Sequence, residues 1–129
     1  MGNNNMSRLE QIVAELPETL RVDIDAWDGH PTFRVQGKNF VFSDSEAARL
    51  TVKLTRDEAA AVIATEPGAV PAGYGLGCHG WVAFDLTHSE NVSWEQIREW
   101  IRTSYMLVAP KKLARMVLAE ESSIRGDAS

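Results

Sequence analysis

Residues 20 to 54 read LRVDIDAWDGHPTFRVQGKNFVFSDSEAARLTVKL, and the period of this stretch decides the fold class. Leu20, Val22 and Ile24 alternate with Arg21, Asp23 and Asp25. Phe33 and Val35 follow, then Phe40 and Phe42, then Leu50, Val52 and Leu54. Side chains two residues apart share one face of a strand, so these runs predict four strands, each with an apolar face. Gly37-Lys38 supplies a tight turn between the second and third runs, and Ser43-Asp44-Ser45 opens the next connection. The stretch therefore predicts an antiparallel meander with one face on the core and one in water.

Helical signals flank the meander. Ser7 to Glu10, Thr55 to Glu58 and Ser93 to Gln96 each place Glu or Gln three residues after a hydroxyl, the pattern that caps a helix amino terminus. Leu9, Ile12, Val13 and Leu16 then form one apolar stripe, stopped by Pro17. Ala59, Val62 and Ile63 form a weaker one before Pro67-Gly68. Ile97, Trp100, Ile101, Ser104, Leu107 and Val108 form the longest, and Pro110 starts a separate helix carrying Leu113, Met116 and Val117. One more strand, Trp81 to Leu86, precedes the third helix. The order α-β-β-β-β-α-β-α-α groups strands together, which predicts an α+β, two-layer domain: an antiparallel sheet of about five strands with helices on one face. No repeat or long Gly/Pro/Ser linker divides the chain, so one domain is expected over 7–119, with a leader at 1–6 and a polar tail at 120–129.

Composition narrows the class. At 129 residues, 44% apolar and 24% charged, the chain matches a single globular domain. No apolar run approaches the ~20 residues of a membrane span, and Met1 to Met6 lack the features of a secretory signal. A cytoplasmic protein without a membrane role is expected. The lone Cys78 excludes an intrachain disulfide and a multi-thiolate metal site. No cofactor is predicted.

Several motifs resemble chemistry that their surroundings do not support. Gly75-Leu76-Gly77-Cys78-His79-Gly80 matches G-x-G-x-x-G, but a strand follows it where a nucleotide-binding turn needs a helix. Asp23, Asp25, Asp28 and Gly29 resemble the start of a calcium loop, yet the twelfth position is Arg34. His30 has no second histidine within helical or hairpin reach. Cys78-His79 and His88 lack the spacing of a thiol hydrolase or metal site. Asn91-Val92-Ser93 and Arg125-Gly126-Asp127 carry no meaning in a cytoplasmic protein.

Thirteen basic against 18 acidic residues give a net charge of −5, the opposite of a typical nucleic-acid binder. Local clusters differ. Arg34, Lys38, Arg49 and Lys53 fall on outward strand positions or the joining turn, as a basic stripe on the solvated sheet face. Residues 98 to 115 hold Arg98, Arg102, Lys111, Lys112 and Arg115 against Glu99, a second candidate patch. Solvated surface is the plain account of both groups.

Three segments carry a family resemblance: Ala26 to Val35 with Gly37-Lys38-Asn39-Phe40, Gly80 to Leu86, and Ile101 to Leu113. Their Trp-x-x-His-Pro-x-Phe and Ser-Tyr-x-Leu-Val patterns, in this order and spacing, resemble the MmcQ/YjbR family of small bacterial proteins from about Leu9 to Leu118. The resemblance implies a "double wing" α+β fold, related to secretion-chaperone-like and frataxin-like (CyaY-like) sheets. It also implies a noncatalytic, nucleic-acid-binding domain, described for the family as DNA-binding; a monomer is expected. The same residues admit a structural account, with Trp27 and Phe33 covering one sheet end and Pro31 starting an edge strand. Trp81 would then fill the core beneath the third helix, and the Tyr105 hydroxyl would tie that helix to backbone. Two functions follow. One is weak DNA binding through Arg34, Lys38, Arg49 and Lys53, then Lys111 and Lys112. The other is a protein- or peptide-binding adaptor using the sheet face or the groove beside Gly73 to Gly80. An enzyme would need His30, Cys78 or His79 to converge in one pocket.

Overall fold

The computed structural model describes residues 5–24, 30–44, 46–66, 68–73, 79–86 and 93–128, with side chains as far as Ala119. Chain order is α1 (Asn5–Ala14), β1 (Thr19–Ile24), β2 (His30–Val35), β3 (Lys38–Ser43), β4 (Arg49–Lys53), α2 (Arg56–Thr65), β5 (Ala69–Pro71), β6 (Trp81–Asp85), α3 (Trp94–Val108) and α4 (Lys111–Ala128). All strands join one antiparallel sheet in the order β1-β2-β3-β4-β6-β5. The α+β, two-layer architecture is the one its sequence predicts, with one strand more. The extra strand, β5, is three residues long and too short to show a period.

Local chemistry explains the element ends. Thr55 and Glu58 form the reciprocal capping box of α2, and Ser93 Oγ accepts from the Gln96 N–H at the start of α3. The third predicted box is not used. Helix α1 already begins at Asn5, and Glu10 instead lies 3.6 Å from Arg21 on β1. Gln36 and Gly37, both at positive φ (49° and 81°), form the two-residue turn between β2 and β3, so Lys38 belongs to β3 rather than to the turn. Helix α4 runs on to Ala128, through the polar stretch set apart as a tail.

The core lies between the sheet and the helices. Val41, Leu50, Val52, Val82 and Phe84 point from β3, β4 and β6 toward α3, whose Ile97, Trp100, Ile101 and Tyr105 meet them. Trp100 stacks on Phe84 at a centroid distance of 4.4 Å, and Tyr105 meets Phe40 edge-on at 5.3 Å. Truncating a fully buried residue such as Ile101 to Ala costs about 2–5 kcal/mol in a site packed this way.

A β-bulge shifts the pattern of the meander. Phe33 pairs with Val41 but Arg34 pairs with Asn39, leaving Phe40 as the extra residue. Phe40 and Val41 therefore both face the core, at 0% exposure, and Phe42 turns to the opposite face. The expectation that Phe42 shares the core with Phe40 fails for this reason. The first strand also differs from expectation. Register carries the β1 positions across as Val22↔Thr32 and Leu20↔Arg34, and β2 into β3 as Thr32↔Phe42, so Leu20, Val22 and Ile24 lie on the sheet face away from the helices. Leu20 is 64% exposed. Arg21 and Asp23 occupy the helix side of β1, where Arg21 Nε donates to Asp23 Oδ1 at 2.9 Å and Arg21 Nη1 lies 3.6 Å from Glu10.

Candidate functional site

The face turned away from the helices is the candidate site. From β1 it takes Leu20, Val22 and Ile24; from β2, His30, Thr32 and Arg34; from β3, Asn39 and Phe42; from β4, Arg49, Thr51 and Lys53; from β6, Trp81, Ala83 and Asp85. Aromatic and cationic groups are interleaved on it. Phe42 and Trp81 meet edge-on across β4 at 5.4 Å, both partly exposed, and Lys53 pairs in register with Trp81. Trp81 thus lies opposite the core it was expected to fill, and Trp100 fills that space instead.

Three of the sequence-predicted cations converge here. Arg34 and Lys53 sit two strands apart, about 10 Å at ordinary strand spacing, and Arg49 lies four residues along β4 from Lys53, about 13 Å. Arg49 also borders a shallow depression of about 180 Å³ lined with His30, Phe42, Ser43, Asp44 and Thr51. Its carboxylate, Asp44, is turned inward on the backbone N–H groups of Ala48 (2.8 Å) and Glu46 (3.2 Å). Asp44 is thereby held by a turn, while Asp85 of β6 stands opposite Arg49 in register on the same face. Arg34 and Asn39, cross-strand partners, each leave one buried polar atom without a hydrogen bond among the described residues: the Arg34 Nε donor and the Asn39 Oδ1 acceptor.

The other candidates lie elsewhere. Lys38 pairs with Val35, whose side chain is in the core, so it stands at the hairpin end away from this face. Lys111 and Lys112 are exposed in the first turn of α4, in the helical layer. Arg98 and Arg102 do not make a free patch, because Glu15, in the turn after α1, lies between them: Arg98 Nε donates to it at 3.0 Å and Arg102 Nη1 is 3.8 Å away. His79 is exposed beside Gly80. Trp27, the remaining acids of the calcium-like stretch, Gly75 to Cys78, His88 and Asn91 fall outside the described residues, as does the groove beside that loop. Among the described residues no three His, Cys, Asp or Glu side chains gather as metal ligands, and no helix is long and apolar enough to cross a membrane.

Sequence reading missed Phe42, Trp81 and Asn39 at this face. The one available signal was the unbroken apolar run Phe40-Val41-Phe42, which strict alternation cannot accommodate without a bulge.

The motif residues on α3 hold the sheet in place. Ser104, 0% exposed, accepts from the Lys53 N–H at 2.9 Å and donates to the Phe40 carbonyl at 2.6 Å. It bridges β3 and β4 just beyond the last pair of their ladder, Val41↔Val52, beside the residue that β3 bulges against β2. The Tyr105 hydroxyl donates to the Pro17 carbonyl at 2.6 Å, tying α3 to the turn between α1 and β1. Burial first, then the nearby Glu18 carboxylate, pushes the Tyr105 phenol up from 10.0 to about 12. Pro31, read as the start of an edge strand, is the second residue of β2, which lies between β1 and β3.

The chain is similar to a solved structure, that of Deinococcus radiodurans protein DR2400 with family-model domain DUF419, at 24% identity. The likeness covers 79% of this chain and 76% of that one, with a TM-score of 0.68, and shows the shared fold. No curated protein matches the chain. The family model YjbR matches residues 14–107, a span that includes the bulged meander, β6 and the Ser104-Tyr105 pair on α3. By that match over most of its length, the chain belongs to the YjbR family.

Proposed function

We propose that this protein binds nucleic acid, in single-stranded form, on the open face of its sheet. The observation that carries the reading is the interleaving of Arg34, Arg49 and Lys53 with the Phe42–Trp81 pair on one face. Cations about 10 to 13 Å apart can each hold a phosphate, with a nucleotide between one contact and the next, and partly exposed aromatic rings offer surfaces on which unpaired bases stack. A duplex keeps its bases stacked inside and offers these rings nothing. Asn39, Thr51 and His30 add hydrogen-bonding groups around the rings. Binding of this kind needs no reacting group, and the overall charge of −5 keeps it weak and confined to the local patch.

The test is fluorescence anisotropy of a labelled single strand and of the matching duplex at two salt concentrations. Three phosphate contacts predict a slope of log K against log salt of about −2, so affinity for the single strand falls about twentyfold between 50 and 200 mM salt. Binding of neither form at low salt would remove the nucleic-acid reading and leave a peptide as the ligand of the same face.

A further inference from the structure

β1 is an edge of the sheet, with β2 on one side and no strand among the described residues on the other. An unpaired edge is an invitation to another strand, and proteins usually blunt it with charges that any incoming strand would meet. The charges on this edge are arranged differently: within one copy Arg21 Nε donates to Asp23 Oδ1 at 2.9 Å, so each meets an incoming strand beside its own opposite charge and can share it with the second copy. Thr19-Leu20-Arg21-Val22-Asp23-Ile24 is complementary to itself when run antiparallel about Val22. Arg21 then stands opposite Asp23 of a second copy and Asp23 opposite its Arg21, while Leu20 meets Ile24 and Val22 meets Val22. Sliding the pairing by two residues sets Arg21 against Arg21 or Asp23 against Asp23. Sliding it by one sets apolar against charged positions.

The backbone agrees with that register. Thr32 Oγ1 donates to the Val22 carbonyl at 2.8 Å, so this carbonyl is turned toward β2. Strand alternation then turns the N–H and C=O groups of Arg21 and Asp23 to the free edge, where an Arg21–Asp23 pair exchanges both hydrogen bonds. Leu20 at 64% exposure, with Val22 and Ile24 partly exposed, supplies apolar surface on one face of the same strand.

We infer that β1 is a self-association edge through which two copies pair antiparallel about a two-fold axis at Val22, joining two six-stranded sheets into one. The inference rests on the edge alone and is independent of the ligand of the open face. The axis stands perpendicular to the sheet, so the two open faces lie side by side.

Two measurements on the full chain test it. Light scattering after size exclusion, over micromolar to high-micromolar concentrations, should show mass rising toward twice 14.3 kDa. Arg21→Asp or Asp23→Arg alone should raise the midpoint concentration about tenfold or more, and the double exchange should restore it. Separately, in a Cys78→Ser background, Val22→Cys should form an interchain disulfide on mild oxidation, because that residue faces its own copy. Leu20→Cys, four residues out of register with its copy, should not. A strictly monomeric protein overturns the inference. So does a dimer that both single charge reversals leave unchanged, or one in which Leu20→Cys crosslinks as readily as Val22→Cys.

Discussion

Ser104→Ala removes one oxygen and exposes the logic of the sheet. That oxygen accepts from the Lys53 N–H at 2.9 Å and donates to the Phe40 carbonyl at 2.6 Å, in a site with 0% exposure. Alanine leaves both backbone groups without a partner, and the packed core admits no water to replace the hydroxyl. An unsatisfied buried donor or acceptor costs about 1–3 kcal/mol, so two together, with some relaxation, cost about 2–4 kcal/mol. Helix propensity works slightly the other way, since Ala is the better helix former by a few tenths of a kcal/mol. Urea unfolding followed by circular dichroism reads the difference. With a slope of about 1.5 kcal/mol per molar urea, the midpoint should fall by about 1.5–2.5 M. Tyr105→Phe is the comparator, because it removes one hydrogen bond, to the Pro17 carbonyl, and should cost about 1 kcal/mol. A loss below about 1 kcal/mol for Ser104→Ala refutes the reasoning, since it would mean that β3 and β4 close the gap without the serine. Lys53 stands on the affected backbone, so the same variant should also weaken any ligand held at the open face.

Tyr105 predicts a specific alkaline limit. Its phenol is raised to about 12 in the folded protein, so the unfolded state releases that proton first. Stability contributed below pH 10 is lost as pH climbs toward 12, and Tyr105→Phe should remove this component of the alkaline unfolding curve. Gly80 sits at φ +90°, and a Cβ added there would overlap the Leu54 carbonyl oxygen. Gly80→Ala should therefore destabilise by about 3 kcal/mol or more, read as a loss of soluble folded protein or a large drop in Tm. Arg34→Glu with Lys53→Glu should flatten the salt slope of single-strand binding by about 1.4, whereas Lys38→Glu with Lys111→Glu, away from the face, should leave it nearly unchanged. Equal effects of the two pairs would point to diffuse surface charge.

Period-two runs and capping boxes placed nearly every element, because those signals are local. The Thr55–Glu58 box starts α2, the hydroxyl of Ser93 starts α3, and of the predicted stripe Ile97, Trp100, Ile101 and Ser104 are buried while Leu107 is exposed. The six cations were also chosen locally, by outward positions on their own strands or helix. Only the sheet could sort them, and it gathers Arg34, Arg49 and Lys53 while sending Lys38 and the Lys111–Lys112 pair elsewhere.

By itself, then, the sequence determined an α+β domain, the starts of α2 and α3 and a set of candidate charges, since propensity, capping and alternation act within a few residues. Which side of each strand meets the helices depended on register. The extra residue at Phe40 reverses Phe42, and pairing with β2 puts Leu20, Val22 and Ile24 on the open face while Arg21 turns to Glu10. Register is settled by contacts between residues far apart in the chain, such as Ser104 bridging Phe40 and Lys53, and no local pattern encodes them.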